Sequence, residues 1–198
     1  MIINDIINNN YNLVLGSASP RRKELLAQMG FHFEVRVPNT EEIYDETHEP
    51  HQIVQELALQ KSENISLNSS NDLLLTADTI VVLEKEILGK PQNYTEAFWM
   101  IQKLSNNEHQ VYTGVCLRSK DFCKTDFAAT SVFFKPISPD EIDYYIMNYQ
   151  PYDKAGAYGI QEWLGFHKIH EIRGSYFNVV GLPCALISEM MKDLLRTE

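Results

Sequence analysis

Ser17-Ala18-Ser19-Pro20-Arg21-Arg22 places paired arginines in the first turn of a helix, where the macrodipole is positive and unpaired N–H groups point outward. Ser19 suits the N-cap and Pro20 the first helical position, and Leu25, Leu26 and Met29 follow at helical spacing until Gly30 stops the helix. Guanidinium groups in that turn are repelled by roughly a few tenths of a kcal/mol each. Ser138-Pro139-Asp140-Glu141 opens another helix in the same Ser-Pro frame, but with the acidic residues the dipole favours and a Ser-x-x-Glu capping box. The contrast within one chain points to an anionic ligand at the first helix start, and a phosphate chain is the obvious candidate.

Asp78 is the second chemical feature, because it interrupts the apolar run Leu74-Leu75-Thr76-Ala77-Asp78-Thr79-Ile80-Val81-Val82. A carboxylate there costs several kcal/mol unless it is paired, hydrogen-bonded or bound to a metal. A structural ion pair with a lysine or arginine is the plainer alternative. A general base or metal ligand is the reading that the arginine turn favours. Thr79 beside it is equally an ordinary β-branched strand residue.

The remaining candidates are weaker taken singly. Glu41-Glu42 offers hard oxygen ligands for magnesium or manganese beside a triphosphate, although a solvated acidic loop is the plainer reading. Lys90 is held between Gly89 and Pro91 at a strand exit, whereas Lys61 carries no local mark. In Asp153-Lys154-Ala155-Gly156-Ala157-Tyr158-Gly159-Ile160-Gln161, the glycines and the Gln161 amide suit close approach to a planar base. A purely structural turn fits the same residues. His167 and His170 fall on an expected strand, where residues three apart face opposite ways and cannot chelate. All six histidines are therefore read as structural or solvated.

The elements that must position these residues follow from periodicity. Residues 12–15 form a short apolar strand before the arginine turn, residues 31–37 alternate as a further strand, and residues 38–50 are an acidic loop. Residues 51–64 have helical spacing, and residues 73–83 read as a buried central strand. Helices are expected near residues 95–104, 138–149 and 186–195, and strands at 110–118, 125–134, 166–172 and 176–180. Residues 1–12 are rich in Asn, carry Asp5 and lack a basic stretch, so they read as an extension and not a signal peptide.

Composition narrows the function. A net charge of -10 argues against broad electrostatic binding to DNA, RNA or anionic membrane. Any anion must be held by a few focused basic groups. Cys116, Cys123 and Cys184 show no Cys-x-x-Cys spacing, which argues for a reducing compartment and against a disulfide framework or zinc site. Every apolar run is broken by charge or Asn well short of about 18 residues. A cytoplasmic address is expected.

In this order the segments resemble the Maf family of nucleoside triphosphate pyrophosphatases, from Leu13 to about Leu194. The Ser-Ala-Ser-Pro-Arg-Arg turn carries the resemblance together with Ala77-Asp78-Thr79-Ile80-Val81, Gly89-Lys90-Pro91, the stretch ending at Gln161, and Gly174-Ser175-Tyr176 through Val180-Gly181-Leu182-Pro183. The resemblance implies one α/β catalytic domain over residues 13–198, with a long twisted mixed sheet, flanking helices and two lobes around a cleft. It also implies a homodimer and a divalent cation.

Carried over by motif, Asp78 resembles the proton-accepting catalytic residue. Ser17, Arg21, Arg22, Lys61 and Lys90 resemble the phosphate-binding set, and Glu42 with Asp78 the metal side. Arg21, Thr79 and Gln161 match positions tied to substrate choice, and the stretch ending at Gln161 is similar to the branch acting on dTTP and UTP. This chain has Thr40-Glu41-Glu42 where the family usually has Ile-Asp-Glu or Ile-Glu-Glu, and Glu162 where a glycine is common after the glutamine. The expected reaction is metal-assisted attack of water on the α-phosphorus, giving monophosphate and pyrophosphate. The rivals are a nucleotide-sensing regulator of cell division without turnover and, from the strand-turn-Arg pattern, a nucleotidyltransferase.

Overall fold

The computed structural model describes residues 2–37, 43–45 and 47–197. In chain order its elements are α1 (Ile3–Asn10), β1 (Asn12–Gly16), α2 (Pro20–Gln28), β2 (Glu34–Val35), α3 (Pro50–Glu63), β3 (Asp72–Leu83), β4 (Glu86–Leu88), α4 (Tyr94–Leu104), β5 (Glu108–Arg118), β6 (Cys123–Phe134), α5 (Pro139–Tyr149), two 3-10 turns (Pro151–Asp153 and Ala155–Ala157), α6 (Trp163–Lys168), β7 (Ile169–Arg173), α7 (Tyr176–Val180) and α8 (Cys184–Thr197). Among the described residues the strands form one mixed sheet in the order β2-β1-β3-β5-β6-β7, with β4 paired to β3. β1 runs parallel to β2 and to β3, in register Leu13 to Leu73. β4 is antiparallel to β3, and β7 to β6. This is the α/β architecture with a mixed sheet expected from the sequence.

The chain divides into two compact units. The first comprises Met1–Asp78, Thr113–Ala128 and Gly181–Glu198. Its core takes in Leu13, Val14 and Leu15 of β1, Leu73, Leu74 and Leu75 of β3, Ile53, Val54 and Leu57 of α3, and Ile187 and Met191 of α8, all nearly or fully buried. Close approach of β5 to α3 requires Gly114, since a Cβ there would lie 2.1 Å from the Val54 carbonyl oxygen. The Asn-rich start forms α1, which packs on α8 with Ile7 fully buried.

The second unit comprises Thr79–Tyr112 and Ala129–Val180. Its core joins Val81 and Leu88 to Ala97, Ile101 and Leu104 of α4, Ile142, Tyr145 and Ile146 of α5, and Tyr158 and Ile160. α5 starts as its sequence dictates, with the Glu141 carboxylate accepting from the Ser138 N–H at 2.8 Å. The polypeptide passes from the first unit to the second inside β3, between Asp78 and Thr79.

Several local expectations are corrected. Residues 176–180 alternate like a strand but form α7, because Ser175 Oγ accepts from the Asn178 N–H and the buried Asn178 amide donates to Val111 O and Thr130 Oγ1. Residues 166–172 split into α6 and β7, with Trp163 and His167 in ring contact one helical turn apart. His167 and His170 thus lie on different elements, and His170 packs its ring on Phe133. The strand expected over residues 31–37 shortens to Glu34–Val35.

Candidate active site

Ser19 begins α2 with its backbone, its carbonyl accepting from the Lys23 N–H at 3.2 Å, but its side chain makes no cap bond. Ser17 supplies the polar side chain of this turn instead. Its hydroxyl is almost buried, accepts from the Ser19 N–H at 3.2 Å and lies 3.4 Å from Arg22 Nη1. No acidic residue occupies the first turn, so the positive end of the helix dipole there is not offset by a side chain of that turn.

Arg22 links this turn to β3. Its Nη1 donates to the Ala77 carbonyl at 2.7 Å and its Nε to the Gly181 carbonyl at 2.8 Å. The planar fork of arginine is what lets one side chain reach both acceptors. The start of α2 is thereby fixed beside the residue that precedes Asp78. Arg21 follows Pro20 in the same first turn and is half-buried.

Asp78 is 6 % exposed and its Oδ1 is ion-paired to Lys61 Nζ, so the ion pair anticipated as the plainer reading of Asp78 is present. Lys61 comes from the last turn of α3, and three groups hold that turn against the sheet. Thr76 Oγ1 donates to Ala58 O at 2.6 Å, Arg118 Nε donates to Ser62 Oγ at 2.8 Å, and Arg118 Nη2 donates to the carbonyls of Ser62 and Ile65, each at 2.6 Å. Arg118 therefore ties the end of α3, at the Ser62 carbonyl, to the chain that follows it at Ile65. Thr76, Ser62 and Arg118 carry no motif in the sequence; the signal available was Thr76 on the same strand as Asp78.

Asp72, the other buried carboxylate of β3, is structural. Burial acts to raise its carboxyl pKa, but the Asn68 N–H and the Arg36 guanidinium outweigh it and hold the group below its ordinary value. Among the described residues no cluster of three or more His, Cys, Asp or Glu is arranged to hold a metal. Asp78 offers a carboxylate oxygen at this turn, and Glu42 lies outside the described residues.

In the second unit, the Gly156 N–H donates to Gly89 O at 3.0 Å, tying the Gly89-Lys90-Pro91 turn to the 3-10 turn at Ala155–Ala157. Gly156 has a φ of 68° and packs on Val81, which explains why glycine stands there. Lys90 is exposed, Thr79 half-buried, and Gln161 half-buried, with its Oε1 buried and unpartnered among the described residues.

The model of the family described as Maf-like protein matches residues 12–194. The chain belongs to the Maf family. A protein named dTTP/UTP pyrophosphatase from Phocaeicola vulgatus is 45% identical over 186 residues, covering 93% of this chain and 96% of that protein. One of the same name from Flavobacterium psychrophilum is 46% identical over 175 residues, covering 88% and 90%. Another from Cytophaga hutchinsonii is 42% identical over 198 residues, covering 100% and 90%. The Maf resemblance read from the motifs is thus established across the chain, and among the described residues no helix is long and apolar enough to cross a membrane.

Proposed function

We propose that this protein is a hydrolase that cleaves nucleoside triphosphates, dTTP and UTP foremost and including modified pyrimidine nucleotides, to the monophosphate and pyrophosphate. The observation that carries the reading is the Arg22 bridge from the α2 start to Ala77, which sets an uncapped, cationic helix N-terminus beside the buried Asp78–Lys61 pair. The shared name of the Maf relatives supports the choice of substrate.

In this mechanism Ser17, Arg21 and the first N–H groups of α2 bind phosphate oxygens, while Arg22 keeps the turn in place and adds its charge. Lys61 moves from Asp78 to the phosphates as they arrive and spreads their charge. Asp78 then draws the proton from a water that attacks the α-phosphorus, and the bond to the bridging oxygen of the β-phosphate breaks. A magnesium or manganese ion held by Asp78 and Glu42 would supply neutralisation of phosphate charge, and one or two carboxylates with phosphate oxygens are the donor set such an ion favours. Lys90 is assigned to the phosphates, and Arg21, Thr79 and Gln161 to the choice of nucleotide. The reading carries with it a homodimer and a cytoplasmic address, in keeping with the free cysteines.

The test is a panel of nucleotides incubated with magnesium or manganese and analysed for monophosphate, pyrophosphate and orthophosphate. UMP and dTMP with stoichiometric pyrophosphate support the reading. Orthophosphate as the first product, or saturable binding without any product, overturns it.

A further inference from the structure

Within the second unit the Glu162 carboxylate gathers the groups that shape the turn around Gln161. Its Oε1 lies 3.2 Å from Lys154 Nζ, and its Oε2 accepts the Tyr145 hydroxyl. Lys154 is nearly buried and also pairs with Asp153 at 2.8 Å. Tyr145 is fully buried and its oxygen accepts the Gly159 N–H at 2.9 Å. Burial, with the Glu162 carboxylate beside it, pushes the Tyr145 phenol above its ordinary pKa, so it stays neutral and donates.

The backbone closes on the same carboxylate. The Glu162 N–H donates to Gly159 O at 3.1 Å, and Glu162 O accepts the Phe166 N–H at 3.1 Å to begin α6. A Cβ on Gly159 would lie 2.8 Å from the Glu162 carboxylate carbon, so a side chain at 159 would displace it. Gln161 sits inside this clamp, between Gly159 and Glu162, with Oε1 buried and unpartnered among the described residues. An amide free to flip offers donor and acceptor in either order, whereas a base edge has one order only. With Oε1 turned inward, the amide directs its N–H donors the other way; uracil and thymine present an O4 acceptor to such a donor, where cytosine presents an amino group.

We infer that Glu162, with Lys154 and Tyr145, is a positioning set that locks the 159–162 turn and thereby the orientation in which Gln161 selects the base. The inference rests on the proposed pyrophosphatase activity for its functional half, and on the turn itself for its structural half. These residues hold the frame of Gln161, so their loss is expected in nucleotide choice and not in the chemical step.

Glu162→Gln removes the charge at nearly constant shape, and Tyr145→Phe removes the hydroxyl. Steady-state kinetics of both full-length variants with UTP and CTP are expected to show KM for UTP raised by about tenfold with kcat changed by less than about twofold. The UTP-to-CTP ratio of kcat/KM should fall accordingly. Hydrogen exchange should show the Gly159 and Glu162 amides losing protection in both variants while α4 keeps its own. Unaltered exchange at those amides overturns the inference whatever the catalytic result. So does an equal loss for both nucleotides, or a fall in kcat with KM unmoved. Wild-type protein that turns over neither nucleotide overturns the activity reading instead, and the exchange arm still decides whether Glu162 and Tyr145 lock the turn.

Discussion

Lys61, in the last turn of α3, is ion-paired to Asp78 in the middle of β3, with both side chains largely shielded from water. Removing either partner leaves a charge in a poorly solvated place, which costs about 3 kcal/mol when a buried pair is broken. Lys61→Met and Asp78→Asn are each expected to lower stability to denaturant by that order, and the double variant to recover much of the loss. Turnover should fall by at least about a hundredfold in Asp78→Asn. Additive destabilisation in the double variant would show that the pair contributes nothing as a pair.

Arg21 and Arg22 are adjacent in sequence but are expected to fail differently. Arg22 grips the Ala77 and Gly181 carbonyls, and lysine cannot reproduce that fork. Arg22→Lys should lower stability by about 2 kcal/mol, the scale of hydrogen bonds from a charged donor. Arg21→Ala should instead raise KM for the nucleotide, more at low ionic strength than at high. Thermal melts and kinetics on the two variants separate the roles.

Ile7 of α1 is fully buried, and Asn8 ties the helix to the chain after α2 by donating to Gly30 O and accepting the His32 N–H. Truncating a buried isoleucine costs about 3 kcal/mol. Ile7→Ala should therefore shift the denaturation midpoint clearly, and an unshifted midpoint would mean that α1 is dispensable.

His109 is almost wholly buried, against Phe134 and Tyr158, and burial lowers its pKa to about 3. An unfolded histidine titrates near 6.5, so between there and 3 the unfolded state binds a proton that the folded state refuses. Stability from this group is complete above the unfolded value and declines as pH falls, by up to about 1.4 kcal/mol per pH unit. Denaturant titrations at stepped pH should show a shallower decline in His109→Gln than in the parent. Parallel declines would contradict the assignment.

The sequence made legible the parts with a local physical signature. The arginine turn, the carboxylate inside the apolar strand and the Ser138 capping box are each short-range patterns, and β3 and α5 stand where periodicity puts them. What it hid is non-local. Nothing near Arg118 says that it grips the end of α3, and nothing near Lys61 says that it meets Asp78, because those contacts are set by how α3 packs on β5 and on β3. α7 carries no helical signature of its own, because Tyr176, Asn178 and Val180 alternate as a strand would, and the helical turn depends on Asn178 reaching Val111 and Thr130. Glu162 was visible only as a residue standing where glycine is common; its bond to Tyr145 gives that difference a role.

Attack of water at the α-phosphorus is tested by hydrolysis of UTP in water enriched in oxygen-18, with both products weighed by mass spectrometry. Heavy oxygen is expected in UMP and none in pyrophosphate, with Asp78→Asn forming neither product above background. Label in pyrophosphate, or release of orthophosphate with UDP, would contradict it.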